Sequence, residues 1–360
     1  MENLISNNSP NSHNIKSYQI NMMNLNNKTI LITGTDEFIG SRAAELAVGQ
    51  GLKVRALQAD PFLDKTSGES LEKLGVEIII GSINDPGIAT KVCQGVDIVL
   101  HTSQLTEEGG DIKKFREINV GGTCNIAQAA KQAKVKTFIH LSSALVYGFN
   151  YTPNVAETET LSGDNNPYCQ TKIEAEIEIL KLNSPPDFGV TIIRAGDVYG
   201  PGSVPWIVRP VLMMRQKLFA YPNDGKGVMN HLYVDNLIDA IFLAMAQQTY
   251  GEVFNITDGE NTSWKEYFTH LAAMEGLPIP MSLPKEEMRL FLKVRNQGQK
   301  LFRKKVDILP ESVDFMSRPY SYSIAKARSI LNYQPKISLE VGMNTTHQWL
   351  QTTDIQKLIK

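Results

Sequence analysis

The run Thr33-Gly34-Thr35-Asp36-Glu37-Phe38-Ile39-Gly40, TGTDEFIG, follows directly on the apolar stretch Thr29-Ile30-Leu31-Ile32. A strand, a glycine turn and an amphipathic helix in this order bring backbone N–H groups and a helix dipole against a pyrophosphate. Gly34 and Gly40 stand where such a turn requires them. The middle position holds Glu37, a carboxylate in a loop shaped for an anion. Alone, the stretch also fits an ordinary strand–turn–helix in which Gly34 ends the strand and Asp36 caps a helix over Ile39–Gln50.

Outward from this loop the chain alternates β-branched runs with amphipathic ones. Strands are expected at Thr29–Thr33, Lys53–Leu57, Val76–Ile80, Ile98–His101, Thr137–Ser142, Val190–Ile193 and Glu252–Thr257. Helices are expected at Ile39–Gln50, Ser67–Leu74, Gly87–Gln94, Ile112–Ala133, Tyr168–Leu182 and Val234–Gln247. That rhythm predicts an α/β fold, a doubly wound parallel sheet of Rossmann type with helices on both faces. Near-continuous apolar strands such as VEIII and DIVLH fit burial from both sides. After Val198 the rhythm loosens at YGPGSVPW and again at Gly225–Gly227. The expected division is a dinucleotide-binding domain over 28–200, joined by 231–257, and a small, mostly helical substrate cap over 201–230 and 258–351. Residues 1–27, rich in Asn and Ser, are expected to form a disordered leader.

Bulk properties exclude several classes. The chain has 360 residues, 42% apolar and 21% charged, with a formal charge of −2, so it carries no basic footprint for nucleic acid. No apolar run reaches the ~18–20 residues needed to span a bilayer. Cys93, Cys124 and Cys169 show neither disulfide parity nor metal-ligand spacing. The expectation is a cytoplasmic protein with a small-molecule substrate and no metal.

A second constellation is Tyr168-Cys169-Gln170-Thr171-Lys172. Tyr168 and Lys172, at i and i+4, project from one helix face. A lysine ammonium there lowers a phenol's pKa and makes Tyr168 a proton shuttle. HLSSALVYG (140–148) ends a predicted strand and puts Ser142 and Ser143 at the sheet's carboxyl edge, where open α/β sheets place ligands. A serine hydroxyl beside a phenol gives two donors for one substrate oxygen.

These motifs, with GVDIVLH, INVGGTCNIAQAA, IIRAGDVYGPG, HLYVDNLIDAI, FNITDGENTSW and SIAKARSILNYQPKISLEVGM in order, resemble the extended short-chain dehydrogenase/reductases, the NAD-dependent epimerase/dehydratase group. The resemblance runs from about Lys28 to Gln351. It implies Ser143, Tyr168 and Lys172 as catalytic residues, with Asn119 supporting the site from a strand–helix junction. It implies NAD or NADP held by Gly34, Phe38, Ile39, Gly40, Gln58, Ser82, Ile83, Ser103, Tyr168 and Lys172. Gln58 neither repels nor neutralises a 2′-phosphate, and the absence of arginine at 58 to 60 favours NAD. It also implies a possible homodimer through the helices at Ile112–Ala133 and Tyr168–Leu182. Glu37 departs from the family's glycine, and that departure is expected to weaken cofactor binding.

Three reactions share the scaffold. Ala144 and Leu145 stand where the family's dehydratases carry an acidic pair, which argues against elimination. Met229-Asn230-His231 lacks the arginine with which nucleotide-sugar epimerases grip a diphosphate, although Arg209, Arg215 or Lys217 could substitute. Alcohol–ketone redox remains, in the manner of the 3β-hydroxysteroid and sterol dehydrogenase branch. Trp206, Val208, Val211, Leu212, Met213, Met214, Leu218 and Phe219 suffice for an apolar pocket, or for core packing of a cap helix. The alternatives are a nucleotide-sugar 4-epimerase and a non-catalytic NAD(P)-sensing binding protein. His101, His140 and Trp264 read as structural, His231 lies near the presumed cleft, and the basic run at 292–305 reads as a solvated helix face with membrane-surface contact as the other possibility.

Overall fold

The computed structural model describes residues 25–59, 70–107, 109–149, 152–163, 166–301, 310 and 312–359. Its strands are β1 (Thr29–Thr33), β2 (Lys53–Gln58), β3 (Glu77–Ile80), β4 (Ile98–His101), β5 (Thr137–Ser143), β6 (Gly189–Ala195), β7 (Asp197–Tyr199), β8 (Ala220–Pro222), β9 (Val228–Met229), β10 (His231–Tyr233), β11 (Val253–Ile256), β12 (Thr262–Ser263) and β13 (Met281–Leu283). Seven of them form one parallel sheet in the order β11-β6-β5-β4-β1-β2-β3. The chain winds outward from β1 to β3, then returns to β4 on the other side of β1. That reversal opens a crevice over the carboxyl ends of β1 and β4, the usual ligand position of such sheets.

Alternation along the strands feeds two cores. Ile30 and Ile32 point into the larger cluster, with Leu100 and Ile139. Leu31 points the other way, with Val99 and Phe138. Each such fully buried Ile or Leu contributes about 2 kcal/mol, so a one-residue slip of β1 would exchange both faces. The larger cluster runs on into Val208, Val211, Trp264, Leu271 and Met343, so sheet and cap residues share one core.

The principal helices are α1 (Phe38–Gly49), α2 (Pro86–Cys93), α3 (Ile112–Phe115), α4 (Thr123–Gln132), α5 (Pro167–Leu180), α6 (Arg209–Arg215), α7 (Val234–Gln247), α8 (Trp264–Met274), α9 (Lys285–Leu301), α10 (Ser312–Met316) and α11 (Leu339–Thr352). The single helix expected at Ile112–Ala133 is interrupted. Arg116–Gly122 forms a π-helical turn between α3 and α4. A Cβ on Gly122 would stand 2.5 Å from Ile83 Cδ1, so the loop after β3 presses onto this turn.

Other expectations shift. Leu25 is buried in the larger core and Asn27 N–H donates to the Gly51 carbonyl, so the fold begins before Lys28. Residues 1–24 of the expected leader, and residues 67–69 of the helix expected at Ser67–Leu74, lie outside the described residues. The mostly helical cap expected over 201–230 and 258–351 also contains strands: β12 and β13 pair with β9 and β8. Among the described residues no helix is long and apolar enough to cross a membrane.

Candidate active site

The glycine turn is as tight as its sequence suggests. Gly34 has φ +74, a left-handed conformation that favours glycine. A Cβ there would meet Ser103 N at 2.9 Å, and one on Gly40 would lie 2.2 Å from the Gly34 carbonyl oxygen. α1 therefore starts against the carboxyl ends of β1 and β4. The first N–H groups of a helix have no intrahelical acceptor, so those of Phe38, Ile39 and Gly40 remain available to an anion. The Phe38 side chain packs toward Gly200 and Gly202 and Ile39 packs on the core; both can offer the crevice only backbone.

Asp36 does not cap α1. Glu37 occupies the N-cap position without a side-chain capping bond, and Asp36 Oδ2 accepts from Ala59 N–H at 3.2 Å. Its carboxylate is thereby drawn to the end of β2, where Gln58 is buried. Glu37 is open to solvent on one side, while protein crowds the other. Loss of hydration pushes its carboxyl up to about 8, with the Asp36 charge adding to the rise and Lys172 opposing it. Ser82 is exposed, and its Oγ accepts from Asn84 N–H at 3.1 Å, which leaves its proton free to donate. Ile83 is a core residue whose carbonyl accepts from Asn125 Nδ2 at 2.6 Å.

The reactive groups converge where β5 meets α5. Asn166 caps α5, its Oδ1 accepting from Tyr168 and Cys169 N–H, and Pro167 takes the first helical position. Ser143 caps the short 3-10 turn Ala144–Tyr147, with Oγ accepting from Leu145 N–H at 3.2 Å. That bond directs the serine proton outward, and the Ser143 side chain lies close enough to the Tyr168 phenol to lower its pKa. Tyr168 Oη also donates to Gln104 Oε1 at 3.2 Å. Lys172 is buried, with Nζ donating to the Leu141 carbonyl at 2.6 Å and lying 3.4 Å from His140 Nε2.

Electrostatics depart from the expected shuttle. Burial pushes the Tyr168 phenol above its ordinary value, against the Ser143 side chain that lowers it. Burial also pushes the Lys172 ammonium down to about 7, with Glu176 and Glu37 resisting. The lysine expected to acidify the phenol thus has its own charge weakened by the same dry surroundings.

Asn119 sits in the π-helical turn rather than at a strand–helix junction. Its Oδ1 accepts from Leu105 N–H at 2.7 Å, and its Nδ2 donates to the Leu105 carbonyl and to Thr171 Oγ1, each at 3.1 Å. It is a positioning residue that clamps the Gln104 loop to α5. Beneath α5, Arg194 pairs with Glu176 at 2.7 Å and donates to Tyr147 Oη at 2.7 Å, and Tyr147 donates to Asn255 Oδ1. These bonds fix α5 to β6 and β11.

Gln104 and His140 were not legible as site residues. Gln104 lies on an unpatterned loop. His140 sits two residues before Ser142, and alternation puts both on one strand face. His140 is not the satisfied histidine expected: its Nδ1 is buried without a partner among the described residues. His101 does fit the structural reading, bridging Thr33 Oγ1 and Thr123 Oγ1 at 2.9 Å each. His231, buried, bonds Asp258 Oδ2 at 2.9 Å and Thr262 Oγ1 at 2.8 Å, and is a structural pin.

The expected apolar pocket stripe is largely core. Val208, Val211 and Met214 are buried, and Leu218 points to solvent. Beside this stripe the packing is aromatic: Phe315 stacks on Trp206 at 5.7 Å and meets Phe149 edge-on at 5.9 Å. Arg318 is fully buried, its guanidinium 3.8 Å from the Phe315 ring centroid and 2.8 Å from Asp197 Oδ2. Arg215 is paired with Glu275 at 2.7 Å. A polar groove of about 540 Å³ bounded by Asn154, Asn261, Ser323 and Arg328 contains none of the Ser143, Tyr168 and Lys172 set. No cluster of potential metal ligands occurs among the described residues.

A sequence model of the NAD dependent epimerase/dehydratase family matches residues 30–257. A 4-hydroxy-2-methyl-3-oxo-4-farnesyl-3,4-dihydroquinoline-1-oxide ketoreductase from Stigmatella aurantiaca is 23% identical over 326 residues, covering 88% of this chain and 95% of its own. A decarboxylating sterol-4-alpha-carboxylate 3-dehydrogenase from Candida albicans is 24% identical over 354 residues, covering 90% and 97%. The solved structure of a UDP-glucuronic acid 4-epimerase from Bacillus cereus, in complex with UDP-glucuronic acid and NAD, is similar with a TM-score of 0.71 at 22% identity, over 90% of this chain and 99% of that one.

Proposed function

Since the chain belongs to the NAD dependent epimerase/dehydratase family and is an NAD(P)-dependent oxidoreductase of the extended short-chain dehydrogenase/reductase type, we propose that it interconverts a secondary alcohol and a ketone on a small apolar substrate, sterol- or terpenoid-like. The observation that carries this reading is the convergence of Ser143 at the end of β5 with Tyr168, bonded to Gln104, one helical turn from Lys172. In this reading residues 28–200 with 231–257 hold the dinucleotide, and 201–230 with 258–351 hold the substrate.

The tight turn at Gly34 and Gly40 and the free N–H groups of α1 fit a dinucleotide, with Glu37 as the misfit. Ser82 would offer its hydroxyl proton and Lys172 its ammonium. A bound nicotinamide dinucleotide supplies or accepts the hydride. In the reducing direction Tyr168 gives its phenolic proton to the substrate oxygen, and Ser143 donates a second hydrogen bond to that oxygen. In the oxidising direction the same phenol must first be deprotonated, which its upward shift opposes, so Lys172 must retain its ammonium when the crevice is filled. The Leu141 carbonyl at 2.6 Å favours that charged form.

Asp36, its carboxylate held at the end of β2 by Ala59 N–H, would repel a 2′-phosphate bound near that strand end. This supports NAD over NADP. The pairing of Arg215 and Arg318 and the aromatic cluster of Phe149, Trp206 and Phe315 support an apolar substrate over a sugar diphosphate. The test is nicotinamide absorbance in the presence of hydrophobic ketones and secondary alcohols, run beside UDP-sugars. Turnover of the hydrophobic panel supports redox chemistry, turnover of UDP-sugars alone supports epimerisation, and cofactor binding with no turnover supports a sensor.

A further inference from the structure

α9 has two apolar faces. Met288 and Leu292 are buried against Leu283 and Val313. At 100° per residue, Leu290 and Val294 fall on the opposite side and Phe291 on its edge, and they are 63%, 62% and 59% exposed. Large apolar side chains grouped on one helix face are unfavourable in water and mark a surface that binds something. The ribbon leading into the helix adds Met281 on β13, 63% exposed, beside Ala220 of β8.

The charge of this region identifies the partner. Glu286 and Glu287 lie in the first turn, where they complement the helix dipole. From Leu292 to Lys305 the sequence holds Lys293, Arg295, Lys300, Arg303, Lys304 and Lys305 with no Asp or Glu, in a chain whose net charge is −2. Apolar residues flanked by cations suit a helix lying in the interface of an anionic bilayer. A second copy of the same basic surface would be repelled.

We propose that the outer face of α9 docks on the surface of an anionic lipid bilayer, with Leu290, Phe291 and Val294 entering the headgroup–acyl boundary. The site is independent of the redox reading, and it would bring the enzyme to where apolar substrates reside.

The test is co-sedimentation of the full chain with phosphatidylcholine vesicles, with and without phosphatidylserine. Expected is binding to the phosphatidylserine vesicles at least about tenfold stronger than to phosphatidylcholine alone, weakening as salt rises. Leu290→Ser, Phe291→Ser and Val294→Ser combined should abolish it while NAD affinity and the circular dichroism spectrum stay unchanged. Equal binding by this variant, or no preference for the anionic lipid, overturns the proposal. A concentration-dependent dimer lost in the variant, with no vesicle binding, would assign the face to a second copy instead.

Discussion

Glu37 is a carboxylate at the N-terminus of α1, in a turn where a neighbouring backbone must admit a pyrophosphate. The structure turns it toward protein, within electrostatic reach of Lys172 and Tyr168, so its charge bears on both cofactor and catalysis. Loss of hydration and the Asp36 charge push its carboxyl up, so rising pH turns a partly neutral acid into an anion that faces an anionic cofactor. Lys172 loses its charge near 7, which weakens anion binding in the same direction. NAD affinity measured by calorimetry should therefore fall as pH rises through this range. Glu37→Gln should remove the part of the slope due to this carboxyl and leave the part due to Lys172. Glu37→Gly should bind NAD about tenfold more tightly, in keeping with ~1–2 kcal/mol of repulsion and crowding; weaker binding would mean that Glu37 itself contributes to holding the cofactor. The glycines, serine, tyrosine and lysine were legible in sequence because each is tied to a fixed offset from a strand end or helix face. Gln104 and His140 were not, because only the folding of separate strands brings them to Tyr168 and Lys172.

At the scale of elements, the strands and most helices follow the sequence closely because binary pattern and turn residues agree. The π-helical turn at Arg116–Gly122 escaped, since its cause is tertiary: Asn119 serves Leu105 and Thr171 at once, and Gly122 yields room to Ile83. The cap stripe was ambiguous for a similar reason, because apolar residues at helical spacing read alike in a pocket or a core. Arg318 and Asp197 form a fully buried pair, and removing one partner strands the other. Asp197→Asn should cost about 3–5 kcal/mol and lower Tm accordingly. Arg318→Met added to it should restore part of the loss. An unchanged Tm in the single variant would show that the pair does not stabilise the fold.

For the whole molecule, the continuous core from Ile30 to Met343 predicts that sheet and cap unfold together. Scanning calorimetry should give one transition, raised by NAD through mass action; two separate transitions, only one of them moved by NAD, would contradict a shared core. The proposed chemistry rests on one phenol meeting one serine hydroxyl above the sheet. The most direct measurement is nicotinamide absorbance on a hydrophobic ketone panel with wild type and Tyr168→Phe, beside NAD binding by calorimetry. The account predicts at least a hundredfold loss of kcat, the lower end of general acid–base contributions of about 10²–10⁴, with NAD affinity retained. Undiminished kcat in Tyr168→Phe would contradict it.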